Sequence, residues 1–127
     1  MFLELALRRQ NWESARDFFG GIPAIELAVT TFTLRSLGIF LTRRTPHVFD
    51  GIVADVVDRG ITVIGFEPSE LHFVTKTISA LGLDFDDAFI YTAAEKNGIQ
   101  VVSFDRDFDR TPRGRRTPAQ VLAELPK

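Results

Sequence analysis

The chain contains no cysteine, so disulfides and thiolate metal sites are both excluded, and the composition fits a reducing compartment. No apolar run approaches the ~20 residues needed to span a bilayer. The N-terminal MFLELALRRQ carries its charges after its apolar stretch, the reverse of a secretory leader, so the expected location is cytoplasmic. An excess of positive charge is also missing. Fifteen basic and 17 acidic residues leave a net charge of −2, whereas a domain that grips nucleic acid by charge alone is basic. This balance gives no support to a passive nucleic-acid binder. It suits an enzyme that presents carboxylates to a metal and keeps a local basic patch for phosphates. Histidine is scarce: His47 and His72 fall on separate predicted helices and suit surface or core-edge roles. No Ser/His/Asp set and no glycine-rich phosphate loop is visible, which removes two common catalytic designs.

What is present is 127 residues, 45% apolar and 25% charged, with 12 phenylalanines. That suits one soluble domain over 1–127, large enough to bury about two-thirds of the surface of its unfolded chain. The pattern alternates helices with short apolar runs. Residues 2–9 read as a short helix. Asn11 is placed to cap a second one carrying Trp12, Ala15, Phe18 and Phe19, with Gly20 and Gly21 ending it. Ile25 to Thr30 reads as a strand. Thr31 is placed to cap a helix to about Leu41, and Thr45-Pro46 opens another that ends near Gly60. Ile61 to Gly65 reads as a strand covered on both faces. A helix from Pro68-Ser69 to Ala80 follows, then one from Asp84 to Asn97, a buried strand at Gln100 to Phe104, and a short last helix after Thr117-Pro118. This order implies an α/β fold with a parallel sheet between helical layers. Three strands are few for such a sheet, and the chain opens in a helix where a strand is the usual start.

Acidic residues gather at 83–109 (LDFDDAFIYTAAEKNGIQVVSFDRDFD). Asp84, Asp86 and Asp87 lie at a helix N-terminus, where capping and the helix dipole account for them without a metal. Asp105 follows an apolar strand directly, and in open α/β sheets ligands bind outside the carboxyl ends of strands. If Asp87 and Asp105 converge there, two carboxylates ~5 Å apart repel by about 3 kcal/mol at an effective dielectric near 20. Mg²⁺ or Mn²⁺, which favour oxygen ligands, relieve that repulsion. Asp107 and Asp109 read as turn residues around Phe108. The D-x-D-x-D run fails as an EF-hand, because Arg110 and Arg116 stand where glycine and glutamate are needed. It fails as a haloacid-dehalogenase-like phosphatase because too little chain follows Asp109. Arg110, Arg113, Arg115 and Arg116 adjoin the acidic strand end and suit either RNA phosphates or a solvated loop. Tyr91, one turn after Asp87, suits burial or the same cleft, and Trp12 suits the core.

Asp87-Ala88, Ala93-Ala94-Glu95, Gly98 and VVSFDRDF at 101–108 together resemble the C-terminal signature of PIN-domain ribonucleases, which include the VapC-like toxins of toxin–antitoxin operons. FLELALRRQNWESARDFF (2–19) is similar to the helices after that family's first strand, and LAVTTFTLRSLGIFL (27–41) to its second strand and next helix. The motifs are short, and their order and spacing carry the resemblance. It implies a three-layer α/β/α sandwich with a central parallel sheet and an acidic cluster that binds Mg²⁺ or Mn²⁺ to hydrolyse RNA. It implies Asp87 and Asp105 as catalytic metal ligands and Asp107 as a further ligand. Ser36 falls where the family has a glutamate; with Arg113, Arg115 and Arg116, read from their place beside the acidic strand end, it makes up the expected substrate-binding set. A small antitoxin protein and a homodimer are the implied partners, with exposed phenylalanines as a source of apolar contact. The family's first strand and its aspartate have no counterpart after Met1, and the favoured expectation is a reading frame that begins upstream. The alternative expectation is a catalytically impaired PIN-like module that binds RNA or protein. A phosphoacceptor receiver domain fits less well, since its acidic pair after the first strand is absent.

Overall fold

The computed structural model describes residues 10–125; the helix expected over 2–9 lies outside the described residues. Helix α1 (Trp12–Gly21) buries Ala15 and Phe18. Asn11 stands at its N-cap without a side-chain capping bond, and the chain leaves through Ile22 in extended conformation. Gly21 serves close packing: a Cβ there would come within 2.7 Å of Leu122 Cδ2 on the last helix, α6 (Pro118–Ala123).

The strand expected from Ile25 begins later. Ala24–Glu26 form a 3-10 turn, and β1 is Ala28–Thr30. Thr30, not Thr31, caps α2 (Thr31–Leu41), its hydroxyl accepting from the Thr33 N–H at 3.0 Å. Helix α3 (Pro46–Arg59) follows, with proline in its first turn and Gly60 as its C-cap. Thr45 does not cap it; its hydroxyl donates back to the Leu41 carbonyl. α2 and α3 together carry the chain to β2 (Thr62–Ile64), which runs parallel to β1 with Val29 opposite Val63.

The expectation that this second strand is covered on both faces is not met. Thr62 and Val63 are exposed, Val63 at 45%. Among the described residues the sheet has two strands, so β2 is an edge with a solvated face. The third expected strand, Gln100 to Phe104, shortens to a single parallel bridge between Val102 and Arg116. A strand is defined by its ladder, and among the described residues only one side of the segment has a partner.

A 3-10 turn (Pro68–Glu70) with reciprocal capping by Glu67 and Glu70 leads into α4 (Leu71–Leu81). α4 packs on α5 (Phe85–Asn97), with the Thr77 and Thr92 hydroxyls 2.9 Å apart between them. Gly98 ends α5 at φ 62°, a left-handed position that favours glycine. α5 is buried along much of its length, with Ala88, Phe89, Tyr91, Thr92, Ala93 and Ala94 all inside. One core cluster joins α4 and α5 to Leu83, Val101 and Phe108; the other joins α1, β1, Val56 and Ile61, with Val121 and Leu122 of α6 against it. The sheet thus lies between α4/α5 and α1/α6, an α/β/α arrangement. No described helix is long and apolar enough to cross a membrane.

Candidate metal centre

Three chain ends meet at one edge of the sheet. Thr30 closes β1, Asp105 follows the Val101–Phe104 segment, and Asp86 and Asp87 lie in the first turn of α5. All four line one cleft of about 870 Å³. Asp87 is half-buried because its neighbours Ala88 and Phe89 anchor α5 in the core. Asp105 caps the 3-10 turn Arg106–Arg110, its Oδ1 accepting from the Asp107 N–H at 2.8 Å, while its own N–H donates to Ser103 Oγ at 3.0 Å. Phe108, almost fully buried, anchors this turn and sets where Asp105 and Asp107 stand.

Carboxylate oxygens of Asp87, Asp105 and Asp107 lie within 4.8 Å of one another. The same holds for Asp84, Asp86 and Asp87, so Asp87 belongs to both groups. Asp84 sits at the N-cap of α5 but makes no side-chain capping bond, leaving its carboxylate uncommitted. Burial, then the charges of Asp86, Asp105, Asp107 and Asp84 in that order, push the Asp87 carboxyl up to about 6. Hard oxygen donors at this spacing, with a carboxyl raised by its own neighbours, fit a divalent cation such as Mg²⁺ or Mn²⁺.

The structure brings together Asp87, Asp105 and Asp107, as expected from sequence. It treats the other site candidates differently. Ser36 is exposed on α2 and does not line the cleft, whereas Thr33, one turn earlier, does. The Thr33 hydroxyl is 2.9 Å from that of Thr30. Arg113 donates to the Ile99 carbonyl at 2.9 Å. Arg115 makes a two-pronged ion pair with Asp109 (2.9 and 3.2 Å) and donates to the Ser103 carbonyl at 3.0 Å. Its side chain is only 12% exposed. Arg110 is held by the Gly82 carbonyl. Arg116 lines the acidic cleft and pairs with Glu124 at 3.1 Å across an exposed surface. Tyr91 is buried and lines a separate cavity of about 510 Å³ between α4 and α5, where its hydroxyl accepts from the Arg113 N–H. His47 and His72 are exposed, and Trp12 is half-buried beneath the Arg16 guanidinium.

Two residues escaped the sequence reading. Arg106 stands exposed between Asp105 and Asp107, with no side-chain partner among the described residues. Thr33 is the other; a polar residue one turn into a helix that follows a strand is the only signal that marks it.

A family model described as PIN domain matches residues 1–114. The chain belongs to the PIN-domain family. Neither the curated proteins nor the solved structures yield a match to it. PIN domains have an α/β fold, are generally nucleases, bind divalent metals and bind RNA. The acidic cluster described above is the feature of this PIN domain that suits such chemistry.

Proposed function

We propose that this PIN domain is a metal-dependent endoribonuclease of the VapC-like toxin type. The observation that carries the reading is the convergence of Asp87, Asp105 and Asp107 at the carboxyl edge of the sheet, with Asp87 and Asp105 lining a cleft open to substrate. Asp87 and Asp105 are the catalytic ligands, with Asp107 completing the set. A bound Mg²⁺ or Mn²⁺ would activate a water and neutralise charge on the phosphodiester. The Asp107 N–H fixes the rotamer of Asp105 by holding Oδ1, and Oδ2 is left to face a cation. Arg116 is the basic residue best placed for substrate, since it lines the same cleft and its exposed pair with Glu124 exchanges at little cost. Arg113 and Arg115 support the loop that carries it. A small antitoxin protein and a second copy of the chain are the partners, and the cytoplasm the location, that this reading carries.

A second reading, a module that binds RNA or protein without catalysis, is favoured by one observation. Ser36 stands exposed outside the cleft and supplies no carboxylate. Calorimetric titration of Mn²⁺ into the wild-type chain and its Asp105→Asn variant, with cleavage of a fluorescent single-stranded RNA in parallel, separates the two. Binding and cleavage that both vanish in the variant support the nuclease. A folded wild type that binds no Mn²⁺ overturns it and leaves the second reading.

A further inference from the structure

Phosphate attraction alone holds RNA poorly at the acidic mouth. Asp84, Asp86, Asp87, Asp105 and Asp107 gather there. Against them stand Arg116, which lines the cleft, and Arg106, which lies between two of the carboxylates in the chain. One bound divalent cation offsets part of the negative excess and not all of it. Counterion release, the usual source of affinity for nucleic acid, is therefore small here, and binding has to draw on contacts that do not depend on charge.

Such a contact stands beside the carboxylates. Phe85 is the first residue of α5, between Asp84 and Asp86 in the chain, and it is 43% exposed. Side chains lean toward the N-terminal end of a helix, so Phe85, Asp86 and Asp87 all project past the start of α5. Neighbouring Cα atoms are about 3.8 Å apart, a short step beside one nucleotide of an extended strand. The ring is also braced. Its centroid lies 5.4 Å from that of Phe32, in the first turn of α2, and 6.2 Å from that of the buried Phe89. Phe32 and Phe89 are themselves 5.4 Å apart. Three rings from two helices thus support one another, with Phe89 in the core and Phe85 at the surface. Thr33, next to Phe32, lines the acidic cleft, so this aromatic group borders it. A ring held in place beforehand loses little rotamer freedom when a flat partner stacks on it.

We propose that Phe85 is a stacking platform for one unpaired base of a single-stranded RNA whose backbone passes the carboxylates. Every base has a π-face, so the platform accepts all four and selects for the unpaired state; a base inside an A-form duplex is already stacked on both sides. The proposal rests on the nuclease reading for RNA as the occupant of the cleft, and it goes beyond that reading by assigning a base contact outside the metal set. A protein partner fits less well, since interface cores are depleted of charge and exposed carboxylates flank Phe85 on both sides.

The test uses the full chain and a short fluorescein-labelled single-stranded RNA carrying one 5-iodouridine, set in turn at each position. Ca²⁺ replaces Mn²⁺, and gel electrophoresis checks that the RNA stays whole. Irradiation joins this base to an aromatic ring stacked on it, and mass spectrometry should find the adduct on Phe85. Phe85→Leu keeps apolar packing on Phe32 and Phe89 and loses the flat face. Its RNA affinity in fluorescence anisotropy should fall by about fivefold or more, and Phe85→Trp should restore it. Calorimetry should give Phe85→Leu the wild-type affinity for Mn²⁺, which shows the chain and its carboxylates intact. Adducts that form only elsewhere, or a Phe85→Leu chain that binds RNA as tightly as wild type, overturn the inference. So does a wild type that binds a duplex of the same sequence equally well. A wild type that binds no RNA overturns it too and leaves the ring as a contact for protein. Failure of the nuclease reading shows separately, as a wild type that binds no Mn²⁺ or cleaves no RNA in its presence while the adduct at Phe85 still forms.

Discussion

Burial and four neighbouring carboxylates raise the Asp87 carboxyl to about 6 from its ordinary 3.8. Between those two values the folded chain holds a proton that the unfolded chain has released, so the contribution of this group to stability falls as pH rises from about 4 to about 6 and stays low above. Asp87→Asn removes the titration. The variant should therefore gain stability over wild type as pH rises through that window. The gain at pH 7.5 is on the order of 1 kcal/mol once solvent screening of a half-exposed group is allowed for, and melting curves at pH 4.5 and 7.5 without metal measure it. A difference between the two proteins that does not change with pH would show that Asp87 carries no such penalty. Sequence position alone marked Asp87 as a helix-dipole residue as readily as a ligand, because the neighbours that raise it come from residues up to twenty positions away. Arg115 shows the converse. Beside an acidic strand end it suits a phosphate contact or a solvated loop, and folding placed it against Asp109 and the Ser103 carbonyl. Arg115→Ala should cost about 1–3 kcal/mol, the range for a lost charged hydrogen-bond set, in denaturant unfolding.

Among the elements, the 3-10 turn Arg106–Arg110 links packing to chemistry. Its anchor, Phe108, is 1% exposed, and the acidic side chains on either side of it are fixed by that burial. Phe108→Ala should cost about 3–5 kcal/mol and should weaken Mn²⁺ binding in calorimetry, although residue 108 is not a ligand. Unchanged affinity in a folded Phe108→Ala chain would separate the turn from the site. The helices were legible because their signals are local: Pro46 at a first turn, the left-handed Gly60, Gly82 and Gly98, and the Thr117 cap. The strands were less so. Ile61 to Gly65 and Gln100 to Phe104 are apolar runs of the right length, yet whether such a run becomes a buried strand, an edge or a lone bridge depends on which neighbours it finds.

For the whole molecule, a cation that binds the folded chain and not the unfolded one raises its stability by mass action. At one hundred times its dissociation constant the gain is about 2.7 kcal/mol, roughly a 10 °C rise in melting temperature for a domain of this size. Chelator should reverse the rise in wild type and leave Asp105→Asn unchanged; a wild type indifferent to chelator would argue against a metal centre. The proposed homodimer has a candidate face in Ile39 and Phe40 of α2 and Val57 of α3, exposed on two helices packed together. Ile39→Asp combined with Val57→Asp should convert a dimer to a monomer in sedimentation velocity, and a wild-type monomer would remove the dimer. The sequence by itself determined the helices, the α/β pattern and the acidic stretch at 83–109, because capping, periodicity and composition are properties of neighbouring residues. Only the tertiary structure decided that Asp87 joins Asp105 and Asp107, that Arg115 is held against Asp109 and the Ser103 carbonyl, and that Ser36 faces solvent. Those outcomes depend on which distant backbone segments lie side by side, and burial and charge coupling act through space, not along the chain.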